Sequence, residues 1–556
     1  MSSQVFSKGR EGGAGLWHGP HRLAKPGPGR TWGQGGRLPH WPPPLRPIQE
    51  LPLTVAAARD ELAEFGYTQK LDRTIGRFSS FAAGISYISI LTGTFQLFSF
   101  GYGAAGPAYV LTWPVVFLGQ LMVALCFAEL AAQYPVAGSI YNWAKKLGRP
   151  TTSWMAGWMM MTASIVSIAA VALAYQLTLP QIWSGFQLVG DGTGEYDVAV
   201  NAVLLGGVLI VASTVVNAFG VRLMTRINSA GVIVELVAAV LLIVLLAAAS
   251  VRGPGVVTET LGTGEGRDLG FAGAFLVAAL ASGYVMYGFD TASSLGEETV
   301  EPKKTAPRAI LRSLIASFVL GGLILLLAVM AVPELTDPQV GSFSGGLQHV
   351  VLEALGSPVG KAFLVCVVVA VTVCVLAVHS AAIRLMFAMA RDNNLPASRH
   401  LARVHPVHKT PVAASVLIGV LSLSILVVNI RQPQIFTVVT SIAVIMIYLA
   451  YLLVTVPMLL SRLRGDWPRG TRSHGFSLGR WGLPVNVVAV LWGGAMALNL
   501  AWPRTEVYNA SGPQHWYLQY GAFVFVGGIA LLGMAYYLLV QRRRTGVLPE
   551  HAAPLT

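Results

Sequence analysis

The chain has 556 residues, 54% hydrophobic and only 11% charged, with a formal net charge of +13. Soluble domains average roughly 25% charged residues, so this composition excludes a string of soluble domains and fits a polytopic membrane protein. A basic excess in a soluble chain would argue for nucleic acid as partner; here the Arg and Lys residues fall between apolar runs, where they report topology.

Residues 1–52 are rich in Gly, Pro, Arg and His and lack an apolar core run. They are not a signal peptide and are expected to be a disordered tail, with a basic tail touching anionic lipid as the alternative. Residues 53–77 form a cytoplasmic pre-helix segment. An amphipathic helix from Leu53 to Phe65, with Leu62 and Phe65 on one face, would lie at the membrane surface.

A spanning helix needs about 20 mostly apolar residues. Twelve stretches qualify: 78–104, 108–134, 153–183, 198–217, 225–250, 271–296, 309–332, 359–388, 411–430, 435–460, 484–502 and 518–540. Alternate connections are basic. One set carries Lys145, Lys146, Arg149, Arg222, Lys303, Lys304, Arg308, Arg391, Arg399, Arg403, Lys409 and five Arg between 462 and 480. The other set has few bases and gathers acids such as Asp191, Glu195, Asp197, Glu334 and Asp337. The positive-inside rule places the first set and both termini in the cytoplasm, and the 541–556 tail, with Arg542, Arg543 and Arg544, agrees. The fold class expected is therefore an all-α polytopic protein with twelve transmembrane helices.

Two of these stretches are interrupted. The first carries Thr92-Gly93-Thr94 near its middle, and the sixth carries Gly288-Phe289-Asp290. Broken helices in matching positions of two halves point to a five-plus-five inverted repeat with a binding site at the breaks. The core would then run over 78–460, as halves 78–250 and 271–460, with two additional helices in 484–540. In the first break, Gly93 tolerates unwound backbone and the Thr hydroxyls can satisfy freed carbonyls. A second half-helix starting near Thr94 would offer N–H groups and a positive dipole end to an anion. Equally, Gly93 can simply let another helix approach closely.

In the sixth stretch the first half-helix is expected to end near Tyr287, exposing carbonyls to a substrate amine. Asp290 can contact substrate, cap the following half-helix or pair with another helix. Phe289 would wall the apolar part of the substrate, whereas Tyr284 reads as ordinary packing. Other ionisable residues at depth are Glu129, Glu235, His379 and Arg384. Glu129 reads as a structural ion pair near the interface or, less simply, as a proton relay. Glu235 is either a proton carrier for coupling or a partner of a base such as Arg384, and His379 reads as a satisfied packing residue. The charged runs Glu297-Glu298 and Arg391-Asp392 read as solvated loop or as ion pairs latching an inner gate.

Several motifs stand in order along the chain. They are Glu129-Leu130 with Pro135, Gly138, Tyr141 and Trp143; Gly288-Phe289-Asp290 with Glu297-Glu298-Thr299; Pro307-Arg308-Ala309-Ile310; Ala390-Arg391-Asp392 with Leu395-Pro396; and Phe476-Ser477-Leu478-Gly479-Arg480-Trp481-Gly482. On these residues, from about 60 to 545, the chain resembles the amino acid–polyamine–organocation (APC) superfamily, in particular its amino acid/choline transporter branch with its GABA (4-aminobutyrate) permeases. The resemblance implies a LeuT-like permease of the cell membrane. A small amino acid or amine would lie between the first and sixth helices, its carboxylate at Thr92, Gly93 and Thr94 and its amine at Tyr287, Gly288, Phe289 and Asp290. Thr92-Gly93-Thr94 departs from the pair of glycines that many members place there. No pair of hydroxyl residues suited to sodium stands at mid-depth in the eighth stretch, which favours protons as the coupling ion. An exchanger of the same fold and a non-transporting nutrient sensor are the alternatives. No cluster with metal or triad spacing suggests an enzyme, and no Walker-type motif suggests ATP as partner. Neither cofactor nor metal is expected.

Overall fold

Hydropathy dictates most of the architecture, because a backbone in hydrocarbon must satisfy its own N–H and C=O groups and does so here as helix. A computed structural model describes residues 62, 64–194, 196–267, 269–428, 435–468, 475–508 and 515–553, with the side chains of 435–440 and Glu506 also left aside. Among the described residues there is no strand, only two isolated bridges. In chain order the helices are α1 (Arg77–Ile88), α2 (Ile90–Ala105), α3 (Thr112–Gln133), α4 (Ser139–Leu147), α5 (Pro150–Ala172), α6 (Ala174–Ile182), α7 (Asp197–Ala218) and α8 (Val221–Ala248). They continue with α9 (Gly270–Val285), α10 (Thr291–Ser294), α11 (Pro302–Ala331), α12 (Gly346–Leu355), α13 (Ser357–Arg391), α14 (Val412–Val428), α15 (Ile435–Leu463), α16 (Gly482–Ala501) and α17 (Gly527–Leu539).

Nine helical stretches among the described residues are long and apolar enough to cross a membrane, and Gly270–Val285 and Val412–Val428 are shorter apolar helices. One of the nine, Arg77–Gln133, is 57 residues long. At about 1.5 Å per residue it would far exceed a hydrocarbon core of roughly 30 Å, so it must fold back. It does so at Gly106, whose φ is +60°, and contributes two crossings. The twelve expected stretches are therefore all present as helices, shifted by a few residues.

The outer faces of α7, α8, α14, α16 and α17 expose Val, Leu and Ile, as lipid contact requires, while α2, α10 and the second halves of α1, α9 and α13 are almost wholly buried. The two ends of the described chain meet on one face: Tyr67 pairs with Ala552, Thr68 N–H donates to the His551 carbonyl (3.0 Å) and Ala553 N–H to the Gly66 carbonyl (2.9 Å). Both ends of the described chain on one face is what an even number of crossings produces. The expected tail over 1–52 lies outside the described residues. Of the expected helix over 53–65, only Leu62, Glu64 and Phe65 fall within them; Leu62 and Phe65 are buried in the protein core.

Candidate functional site

The two interrupted helices lie side by side at the centre of the bundle. A β-carbon on Gly93 would come within 2.7 Å of Val285, so α2 and α9 touch through the glycine. The close-approach role considered for Gly93 is the one realised. The break itself is not at Thr92-Gly93-Thr94. It is a single residue, Ser89, with φ 40° and ψ 95°, and the second half-helix begins at Ile90 instead of near Thr94. Around Gly93 the helix is regular: Gly93 N–H bonds the Ser89 carbonyl (2.9 Å), and Thr94 Oγ1 bonds the Ile90 carbonyl (2.6 Å).

What ends the helix at Ser89 comes from elsewhere in the chain. Glu235, in the middle of α8, presents Oε1 to the Leu91 N–H (3.1 Å) and to the Ser89 hydroxyl (3.0 Å). Ser89 Oγ also lies 2.6 Å from Thr92 Oγ1. A carboxylate at a helix start satisfies donors that the helix cannot, and complements its dipole. The suggested pairing of Glu235 with Arg384 does not occur. Arg384 is bound elsewhere, as described below.

In the sixth stretch the break falls where expected, with α9 ending at Val285, two residues before Tyr287, and the unwound chain running over Met286–Asp290. Gly288 has φ +86°, and a β-carbon there would overlap the Tyr87 ring, so both backbone and packing demand glycine. Gly288 N–H donates to Tyr451 Oη (3.0 Å), and Tyr451 donates to Asp290 Oδ1 (2.6 Å). Ser139 Oγ donates to Asp290 Oδ2 (3.3 Å). Asp290 therefore ties the break to α15 and α4, and its side chain makes no capping bond to α10. Phe289 is fully buried, its ring 6.0 Å from Phe127 and 5.7 Å from Tyr451. It packs into the bundle instead of walling a cavity. Tyr287 stacks edge-on against Tyr87 (6.0 Å) and Tyr284 (5.7 Å).

A cavity of about 220 Å³ opens from the face opposite the termini. Gln96, Ser99, Phe100, Tyr284, Phe343 and Ser441 are among its lining residues. Tyr284, read from sequence as packing, thus borders both the cavity and Tyr287. Hydroxyls gather here: Tyr87 interacts with Ser164, and Tyr287 with both Tyr284 and Ser167, while Glu235 Oε2 lacks a close hydrogen-bond partner. Hydroxyls and a carboxylate gathered between two helix breaks offer polar contacts that a solute or water could share.

The terminal face is closed. Arg384 and Arg391 stand two turns apart on one side of α13; Arg384 grips Glu298 with two bonds of 3.2 Å, and Arg391 reaches Glu297 Oε1 at 2.9 Å. All four side chains are at most 3% exposed. Glu297 also accepts the Ala137 N–H (3.1 Å). Asp392 takes Lys145 Nζ (2.5 Å), Tyr141 Oη (2.7 Å) and Tyr67 Oη (2.9 Å). The Arg391 guanidinium lies 3.6 Å above the Tyr67 ring. Burial, then the Asp392 carboxylate, push the Tyr67 phenol well above its ordinary 10, so it remains a donor. These runs are buried ion pairs, not solvated loop.

Glu129 is saturated. It pairs with Arg462 and accepts Trp467 Nε1–H (3.1 Å), Ser477 Oγ–H (3.3 Å) and Leu478 N–H (3.0 Å). A carboxylate so occupied anchors the loop before α16, which explains the Phe476-Ser477-Leu478 motif and removes the relay reading. His379 is held between Ser213 Oγ (3.2 Å) and the Ser415 carbonyl (3.0 Å), as a packing residue would be.

A bundle of membrane-spanning helices, broken at two facing points beneath a cavity on one face and sealed by ion pairs on the other, defines a multi-pass membrane transport protein. The sequence profile of the amino acid permease family matches residues 75–529, and the chain belongs to that family. It is 28% identical over 501 residues to the amino-acid permease BAT1 of Arabidopsis thaliana, covering 86% of this chain and 94% of that one. The branched-chain amino acid permease BcaP of Bacillus subtilis (strain 168) is 28% identical over 464 residues, 80% of this chain and 91% of its own. A methylthioribose transporter of the same bacterium is 28% identical over 365 residues, 64% and 75% of the two chains. The family resemblance read from the motifs therefore holds at the level of amino acid permeases, which are transporters and not enzymes.

Proposed function

We propose that this chain is a secondary active transporter that carries a small amine-bearing solute across the plasma membrane by alternating access, coupled to protons. The solute is an amino acid or a relative such as 4-aminobutyrate. In this reading both termini are cytoplasmic, the cavity faces outward and the Glu297–Arg391 and Glu298–Arg384 pairs form the closed inner gate. The pairing of breaks in the first and sixth helices supports a five-plus-five arrangement of the ten-helix core, with α16 and α17 as additions. The substrate would sit between Ser89–Gly93 and Val285–Asp290, its amine against the carbonyls at the end of α9. Thr92 and Thr94 then shape the site from α2, and Gly288 keeps the break open. Tyr284 and Tyr287 flank the entrance.

The observation that carries this reading is the meeting of two broken helices beneath the cavity, with buried hydroxyls and the Glu235 carboxylate at the junction. The relatives named as amino acid permeases support an amino acid as substrate, and the methylthioribose transporter among them argues for testing wider. The test is uptake of radiolabelled 4-aminobutyrate, L-alanine, L-leucine and methylthioribose by proteoliposomes under imposed proton or sodium gradients. Saturable, pH-gradient-driven accumulation of at least one of the three amino acids is expected, and accumulation of methylthioribose alone would overturn the amine-bearing substrate. Uptake that needs preloaded substrate would make the protein an exchanger, and no uptake under any gradient would overturn the proposal.

A further inference from the structure

The start of α2 is where a transported carboxylate would be expected to bind, yet a carboxylate of the protein already occupies it. Glu235 Oε1 holds the Leu91 N–H at 3.1 Å and the Ser89 hydroxyl at 3.0 Å. Its other oxygen, Oε2, has no partner, and the residue is 1% exposed. α2 is sixteen residues long, so its first turn is a genuine donor site.

We propose that Glu235 is a built-in competitor for the substrate carboxylate, and that this competition is what couples a proton to transport. The inference rests on the amino acid transport proposed above. When a substrate carboxylate displaces Glu235 from the Ser89 hydroxyl and from the Ile90 and Leu91 N–H groups, Glu235 loses the bonds that stabilise its charge. An ionised carboxylate left unpaired in the interior is costly and is neutralised instead. One proton from the outer solution then forms an O–H bond on Glu235, and one negative charge remains at the helix start, as before. When the substrate leaves inward, Glu235 returns to the Leu91 N–H and releases that proton to the inner solution.

No base stands ready to take the place of the proton. Among the described residues, Arg384, Arg391 and Arg462 are bound to Glu298, Glu297 and Glu129. The helices packed against α8 are α1, α2, α7, α11, α12 and α13. From α13 the Cys374 thiol faces Glu235, and His379 on that helix is engaged by Ser213 and Ser415. Arg77 on α1, Arg222 and Arg226 on α8 itself, and Arg308 and Arg312 on α11 are exposed. Asp197 opens α7, and His349 and Glu353 on α12 are partly exposed. α2 contributes hydroxyls and no charge.

The test uses purified full-length protein and whichever of 4-aminobutyrate, L-alanine and L-leucine the liposomes accumulate. Adding it to weakly buffered protein with a pH-sensitive dye should draw about one proton per bound substrate onto the protein. Its apparent Kd should weaken by up to about tenfold per pH unit on the alkaline side. With E235Q, binding should persist with a Kd flat across pH, proton uptake should vanish and pH-driven accumulation should fall to the equilibration level. The matching amine without a carboxylate (1-aminopropane for 4-aminobutyrate) should draw no proton onto the wild-type protein. Substrate binding with no proton uptake, or undiminished pH-driven accumulation by E235Q, would overturn the inference while leaving the transport reading standing. Absence of uptake of all three amino acids would remove the reading beneath it, and the inference with it.

Discussion

Gly288 shows how much a single residue decides. Its φ of +86° is strained for any L side chain, and its α-carbon lies against the Tyr87 ring, so Gly288→Val has both a backbone and a steric cost. The expected outcome is loss of saturable uptake with the protein still reaching the membrane, measured as transport normalised to surface protein. Gly93→Leu should act similarly by forcing α2 from Val285. Glu129 behaves differently. Removing one partner of a buried, hydrogen-bonded ion pair costs roughly 3–5 kcal/mol, so Glu129→Gln should lower the melting temperature in detergent. Because its contacts lie at the end of α15 and on the loop before α16, the proton stoichiometry of transport should be unchanged. A changed stoichiometry would restore the relay role.

At the scale of elements, α13 links the centre to the terminal face. At 35 residues it is roughly 52 Å long, well beyond the membrane core, and its overhang carries Arg384 and Arg391 to the Glu297-Glu298 turn that follows the second break. Helix and turn are thereby locked in one arrangement. Arg384→Ala leaves Glu298 buried without its cation, and the closed arrangement should lose stability by about 3 kcal/mol or more. The expected readout is greater labelling of a cysteine placed at Ser294 by a reagent applied from the terminal face. Unchanged labelling would mean that these pairs do not hold the gate. Lys304 and Arg77 with Glu301 form exposed pairs on the same turn, and their removal should change labelling little, since exposed pairs contribute about 0–1 kcal/mol.

Across the whole molecule, both ends of the described chain converge on that same gate. Leu548 N–H donates to the Arg391 carbonyl (2.9 Å) and Gly546 N–H to the Asp392 carbonyl (3.0 Å), while Thr74 and Ile75 N–H both bond the Glu298 carbonyl (2.9 and 2.8 Å). The pre-helix segment and the C-terminal tail thus strap the ion pairs from two sides. Truncation after Arg544 should favour the inward-open arrangement, seen as faster release of preloaded substrate from vesicles. An unchanged release rate would count the strap as packing only.

Hydropathy and charge placement were sufficient for the span positions, the even count and the second break, because lipid imposes length and polarity on each helix locally. Gly288 and Asp290 were legible for the same reason: a flexible residue and an acid inside an apolar run have few ordinary explanations. The first break was misplaced by three to five residues because Ser89 carries no local signature. Glu235, 146 residues away, terminates the helix there by supplying the oxygen its amides need. Likewise nothing near Glu129 or Glu298 in the chain announces Arg462 or Arg384. The amino-acid order by itself determined which segments enter the membrane. Which buried charges neutralise one another was decided only by the folded bundle, since in a medium of low permittivity a carboxylate's role depends on which distant donor it meets.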